Sequence, residues 1–242
     1  MQTQVTLELD LDEAVGNNLR SKLTAGGVAG VTGITIDDLG NANGALGVDI
    51  IDLQGSGLLQ IDLQDVQELI DGGLKFSLDD QITLQLGADA YIEGTFLKTS
   101  SGGQVLLSSL GNGAEGVGVD VLDLFGQGTL TIDETDALGL INAGLSFNTD
   151  DQITLGLGEG ADIEGTFLKT SSGGQVLLSS LGNGAEGVGV DVLDLFGQGT
   201  LTIDETDALG LINAGLSFNT DDQITLGLGE GADIEGTFLK TS

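Results

Sequence analysis

The stretch IDETDALGLINAGLSFNTDDQITLGLGEG occupies residues 132–160 and recurs letter for letter at residues 203–231, 71 positions later. A helix, a stop, an acidic turn and a strand can be read along it. Asp133 is placed as a helix N-cap, and Asp136 three residues on supplies a capping-box-like acid. Ala137, Leu138, Leu140 and Ile141 form an apolar stripe at helical spacing. Gly144 stands where a left-handed C-cap belongs. NTDD at 148–151 is a turn, and DQITLGL at 151–157 alternates as a strand before GEG turns the chain again.

Working outward, residues 100–170 and 171–241 are identical at all 71 positions. An earlier copy over 29–99 has diverged but stays in register: Phe76, Phe147 and Phe218 correspond, as do Phe96, Phe167 and Phe238. GVDIIDL at 47–53 matches GVDVLDL at 118–124, Asp62 and Asp65 match Asp133 and Asp136, and Asp79 and Asp80 match Asp150 and Asp151. Residues 1–28 read as a degraded unit or cap, and Ser242 begins a further pass, as in a fragment of a longer array. The diverged copy keeps caps, turns and apolar spacing while ALGLINAGLSFN becomes VQELIDGGLKFS. The verbatim duplication therefore points to recent copying rather than to an invariant reaction site.

The rest of the unit fits the same rhythm. GVGVDVLDL at 116–124 reads as a buried strand with Val119, Val121 and Leu124 inward; GQG at 126–128 is a turn and TLTI at 129–132 a short extended run. After the IEGT stretch a second, weaker helix is expected over 104–110, repeated at 175–181. Phe76, Phe96 and their equivalents are expected in the core or between repeats, and Phe125 and Phe196 on the surface. Strand–helix units stacked without linkers predict an α/β repeat protein, an elongated solenoid with a parallel sheet on one side. The alternative is a string of separate 71-residue α+β or β-rich beads, which would be small for independent folding.

Composition restricts the chemistry. The 242 residues hold 42 glycines and no proline, eight Phe, one Tyr and no Trp, so the core is aliphatic. With 38 acidic and 6 basic residues the net charge is −32, which repels nucleic acid and anionic membrane and attracts cations. No apolar run is long enough to insert in a membrane, and the N-terminus lacks the features of a signal peptide. Without His or Cys there is no imidazole base, thiol nucleophile or disulfide. Paired acids alone can hydrolyse glycosides, but an active site copied verbatim is unusual, and no enzymatic activity is expected. GNGAEG at 111–116 lacks the context of a dinucleotide-binding loop.

Calcium is the cofactor that the acids bring to mind, since hard cations take six to eight oxygen ligands. The candidate ligands are Asp133, Asp136, Asp150 and Asp151, with their copies Asp204, Asp207, Asp221 and Asp222. Neither an EF-hand loop nor a calcium nonapeptide is matched. The competing reading makes Asp133 and Asp136 helix caps and Asp150 and Asp151 turn formers. Lys98, Lys169 and Lys240, one per unit, either pair with an acid or stand solvated.

The cadence GVDVLD…TLTI…DALGLINAGLSFNTDDQITL resembles the tandem repeats of giant secreted bacterial adhesins and biofilm matrix proteins, over nearly all of residues 29–242. That resemblance implies an extended extracellular or cell-surface array, often exported by a type I route and calcium-dependent. A calcium nonapeptide tail, a ligand-binding tip and an export signal are not found in these residues, and no binding residue carries over. The expected function is a structural spacer that extends a binding tip or builds surface fibres. The alternative is a self-assembling filament or surface-layer subunit stabilised by cations, with copies of itself as partner.

Overall fold

The computed structural model describes residues 4–11, 18–25, 32–55, 58–126, 128–170, 172–184, 187–197, 199–235 and 238–240. The amino-terminal segment holds β1 (Thr6–Asp10) and α1 (Leu19–Ala25). The diverged copy holds α2 (Ile36–Leu39), β2 (Ile50–Gln54), β3 (Leu59–Ile61), α3 (Leu63–Gly72), β4 (Lys75–Phe76), β5 (Ile82–Gln85), β6 (Ala90–Glu93) and β7 (Phe96–Thr99). The next copy begins with β8 (Gln104–Leu106), α4 (Leu107–Leu110), β9 (Val121–Asp123), β10 (Thr129–Ile132) and α5 (Glu134–Ala143). It ends with β11 (Ser146–Phe147), β12 (Gln152–Gly156), β13 (Asp162–Glu164) and β14 (Phe167–Lys169). The last copy opens with β15 (Gln175–Leu177), α6 (Leu178–Leu181), β16 (Val192–Asp194), β17 (Thr200–Ile203) and α7 (Glu205–Ala214). It closes with β18 (Ser217–Phe218), β19 (Gln223–Leu226), β20 (Asp233–Glu235) and β21 (Phe238–Lys240). Among the described residues no helix is long and apolar enough to cross a membrane.

The chain divides into two compact units, residues 1–127 with 142–151 and residues 128–141 with 152–242. The first contains two parallel sheets, ordered β1-β2-β4 and β3-β5-β9-β11, and the antiparallel sheet β6-β7-β8. The second contains the parallel sheet β10-β12-β16-β18, the parallel pair β17-β19, the antiparallel sheet β13-β14-β15 and the antiparallel pair β20-β21. The fold is thus mixed α/β with several parallel sheets. Each four-stranded parallel sheet takes two strands from one copy and two from the next: β3 and β5 with β9 and β11, then β10 and β12 with β16 and β18.

Local chemistry explains the helices. Asp62 and Asp204 cap α3 and α7 by accepting backbone N–H bonds, and Asp65 and Asp207 at N3 return bonds to the caps. Asp133 and Asp136 do the same for α5. Gly73, Gly144 and Gly215 stop these helices at φ of 67°, 70° and 73°, a region that glycine enters without a Cβ penalty. The sheets bury aliphatic layers: Leu59, Ile82, Leu84 and Leu122 in the first unit, Ile153, Leu155 and Leu193 in the second, all 0 % exposed. Each such side chain contributes about 2 kcal/mol.

One contact recurs in every copy. The residue after each short helix, Gly40, Gly111 or Gly182, lies against the carbonyl of Gly72, Ala143 or Ala214 near the end of the long helix. A Cβ on Gly111 would stand 1.9 Å from the Ala143 oxygen.

Three expectations are corrected. Residues 104–106 and 175–177 are strands, and the helices cover only Leu107–Leu110 and Leu178–Leu181. A two-residue Gly-Thr loop folds β7 onto β6, and Gly94 at φ 61° provides the turn; Gln104 to Leu106 then alternate exposed, buried, exposed against β7. Val121 is half-buried and Leu122 fills the inward position, because the ladder begins at Val121 while Val119 is buried in the segment leading to it. Phe96 and Phe218 are half-buried and Phe167 is 37 % exposed, Phe96 and Phe167 at the start of the central strands of the antiparallel sheets; Phe76 and Phe147 do lie in the core, and the side chain of Phe238 lies outside the described residues. Gln127 of the expected turn lies outside the described residues, as do parts of the 1–28 segment and Ser242.

Candidate functional site

The recurrent carboxylates are bound to backbone. Asp49, Asp120 and Asp191, which precede β2, β9 and β16, each accept an N–H from the neighbouring strand: Val5 at 2.9 Å, Ile82 at 3.0 Å and Ile153 at 2.9 Å. Asn112 and Asn183 donate to the second oxygen of Asp120 and Asp191 at 2.5 and 2.7 Å. Asp80, Asp151 and Asp222, in the acidic turns, accept from Leu53 at 3.0 Å, Leu124 at 2.8 Å and Leu195 at 3.1 Å, each where a strand ends. Glu134 and Glu205 accept the N–H of Gly158 and Gly229 at 2.9 and 2.7 Å. A carboxylate is acceptor-only, so it suits the orphan donors that short strands leave at their ends.

The eight candidate ligands follow this pattern. Asp133 with Asp136, and Asp204 with Asp207, are brought together as capping boxes. Asp136 and Asp207 are 6 % exposed. Asp207 also accepts the N–H of Gly165 in the β13–β14 turn. Asp150 and Asp221 are exposed in turns, beside the backbone-bound Asp151 and Asp222. Among the described residues no group of three or more acids converges on a point that could hold a metal ion. The acids preceding the strands, Asp120 and Asp191, were not recognised as partners of a distant strand, because that pairing has no local signature. Two of the three repeated lysines are paired: Lys98 lies 2.5 Å from Glu93 across its hairpin, and Lys169 pairs with Glu164 in the same way, while the side chain of Lys240 lies outside the described residues. Both pairs are solvent-accessible and therefore weak.

Phe125 and Phe196 are 64 % and 59 % exposed, as expected, and adopt φ of 54° and 50°. Few non-glycine residues sit there. Asp123 and Asp194 hold the conformation by accepting the Phe125 and Phe196 N–H at 2.6 and 2.7 Å. Phe125 borders an open hollow of about 380 Å³ with Asp62, Gln64 and Gln85.

Two acids, Asp65 and Asp80, are raised, and three, Glu68, Asp38 and Asp89, are lowered by hydrogen bonds from Arg20, Thr35 and Ser100. Burial pushes the Asp65 carboxyl above its ordinary 3.8, against the pull of the Asp62 N–H and of Arg20, whose Nε lies 2.6 Å away. Burial likewise raises Asp80, against the Leu53 N–H. An acid raised in the folded state binds its proton more tightly there. Its contribution is fully present below 3.8 and is lost as pH rises through the folded value. Glu68, lowered chiefly by its bond from Arg20, has the opposite sign and loses its contribution only below about 4.5. Lowering the pH from neutral to about 4.5 should therefore raise the melting midpoint at low salt, with partial relief of the −32 charge acting in the same direction. Calorimetry at the two pH values checks this; a midpoint that is flat or falls on acidification contradicts it.

No protein-family model matches the chain, no curated protein matches it, and no solved structure matches it.

Proposed function

We propose that the chain is a non-catalytic structural segment: a spacer array of an extracellular bacterial adhesin or matrix protein, in which each added repeat extends an elongated solenoid. The observation that supports this reading most is the sharing of sheets. The sheet from β3 to β11 runs from Leu59 to Phe147, farther than the 71-residue period, and the chain leaves it for β10 before returning for β11. A single copy cannot supply such a sheet, so a copy is completed by its neighbours, as in repeat proteins whose stability grows by nearest-neighbour terms. The acids support it too, because they are spent on strand ends and helix caps rather than grouped around a substrate.

The test is to compare chains of one, two and three copies, in calcium and in chelator at matched ionic strength. The one-copy chain is expected to be unfolded. The three-copy chain should unfold cooperatively, and the longest dimension in X-ray scattering should grow by a constant increment per copy. A single copy that folds by itself, or a dimension that grows only as a compact globule's would, counts against the array. The cation belonging to this reading is calcium. A higher midpoint in calcium than in chelator supports a specific site, and equal midpoints leave only charge screening.

A further inference from the structure

Three asparagines in the chain are followed by glycine: Asn43 by Gly44, Asn112 by Gly113 and Asn183 by Gly184. Asparagine is among the chemically labile residues. Its amide carbon lies within reach of the backbone nitrogen of the next residue. A side chain on that residue, or a bond donated by its N–H, hinders the approach. Neither hindrance is present after Asn112 or Asn183. A Cβ on Gly113 or Gly184 would meet nothing closer than the Ser108 or Ser179 oxygen, at 3.9 and 3.6 Å. Among the described residues the Gly113 and Gly184 N–H groups donate no hydrogen bond. Both pairs of residues are exposed.

The same two asparagines carry a structural bond. Nδ2 of Asn112 donates to Oδ1 of Asp120 at 2.5 Å, and Nδ2 of Asn183 to Oδ1 of Asp191 at 2.7 Å. The other oxygen of each aspartate accepts the N–H of the neighbouring strand, from Ile82 or Ile153. The backbone that carries each asparagine is held at both ends. The Val119 N–H donates to the Leu110 carbonyl and the Val190 N–H to the Leu181 carbonyl, both at 2.7 Å. A Cβ on Gly116 would lie 1.8 Å from the Gly111 oxygen, and one on Gly187 1.9 Å from the Gly182 oxygen. Asn43 differs: it is exposed in a turn and makes no side-chain bond among the described residues. The diverged copy has Asn41 followed by Ala42 where the later copies have Asn112 and Gly113.

We propose that Asn112 and Asn183 are sites of spontaneous deamidation, and that their conversion loosens the strand joints at Asp120 and Asp191. The Gly113 nitrogen bonds to Cγ of Asn112, the Cγ–Nδ2 bond breaks, and the Gly113 proton leaves with Nδ2 as ammonia. Water then opens the cyclic imide on one side or the other. The product is an aspartyl residue, or an isoaspartyl residue whose backbone runs through Cγ and is one atom longer. One water is consumed for each ammonia released, and no electrons are transferred. Either product removes the Nδ2 donor and adds a carboxylate near Asp120, so a bond is exchanged for like-charge repulsion. The isoaspartyl form also lengthens a loop whose ends are fixed. Asn183 and Gly184 follow the same course beside Asp191. None of this depends on the spacer reading above.

Storage of the folded full chain in warm, mildly alkaline buffer, against a cold, mildly acidic control, followed by peptide mass mapping, tests it. The amides of Asn112 and Asn183 should be lost, with aspartyl and isoaspartyl products, while Asn41 and Asn142, which precede alanine, stay intact. Gly113→Ala and Gly184→Ala combined should slow the conversion at both sites by about tenfold or more. The melting midpoint of the stored wild type should fall, and that of the stored double variant, still open to conversion at Asn43, should not. Without storage, Asn112→Asp should lower the midpoint and Asn43→Asp should leave it unchanged. Amides at Asn112 and Asn183 that last as long as those of Asn41 and Asn142 overturn the proposal. So does a converted chain that melts where the fresh one does.

Discussion

Gly111→Ala is expected to cost about 3 kcal/mol, a large fraction of the stability of an ordinary domain. The added methyl would lie 1.9 Å from the Ala143 carbonyl oxygen, and backbone cannot rotate aside as a flexible side chain can. Strain from the dihedral angles is not involved, since Gly111 has φ −71° and ψ −171°. Alanine would otherwise be favoured slightly, by reducing the freedom of the unfolded chain. The same change at Gly182 meets the Ala214 oxygen at 1.8 Å and should cost as much, whereas Gly40 meets the Gly72 oxygen at 2.4 Å and should cost less. Gly113 is the control: its Cβ would meet only the Ser108 oxygen, at 3.9 Å, so Gly113→Ala should be nearly neutral. Urea unfolding followed by circular dichroism reads the series. Equal midpoints for Gly111→Ala and Gly113→Ala would show that Gly111 is not pressed against the Ala143 carbonyl as described.

These glycines mark the limit of what could be read from the chain alone. Among 42 glycines, Gly111 looks like another turn former, and only the position of a helix end distant in sequence shows that its missing side chain matters. Asp133, Asp136 and Gly144 were legible because a cap acts within one helical turn. The α/β class with parallel strands was legible from strand and helix rhythm. The partner of each strand was not: three copies of one pattern offer the same edge several times, and alternation says which face is buried, not which copy lies alongside. Pairing of β5 with β9, and of β12 with β16, across copies therefore appears only in three dimensions. The antiparallel β6-β7-β8 sheet did have a signal, the Gly-Thr loop after an Ile-Glu pair, but the apolar QVLL that follows resembles a helix start as much as a strand. The acids were recognised as a class, and their roles at strand ends were not, because Asp120 and Asp191 reach partners 38 residues away.

The two acids of one capping box should respond differently to the same mild change. Asp204 is exposed and accepts the N–H groups of Thr206 and Asp207, both at 2.8–2.9 Å. Asparagine caps a helix as well as aspartate, so Asp204→Asn should be nearly neutral. Asp207 is buried and uses both carboxylate oxygens, one for the Asp204 N–H at 2.8 Å and one for the Gly165 N–H of the β13–β14 turn. An amide in its place turns an NH2 group toward a backbone N–H, so one buried donor loses its acceptor. Asp207→Asn should cost about 2 kcal/mol and Asp207→Ala about 3 kcal/mol, with faster amide exchange at Gly165 in both. Gly210 makes the contact sensitive to position, since a Cβ there would lie 2.4 Å from the Gly165 oxygen. If Asp204 and Asp207 served chiefly as cation ligands, removing either charge would lower stability in calcium and leave the chelated protein unchanged. The structural roles predict the asymmetry in chelator as well, and equal responses of Asp204→Asn and Asp207→Asn there would refute them.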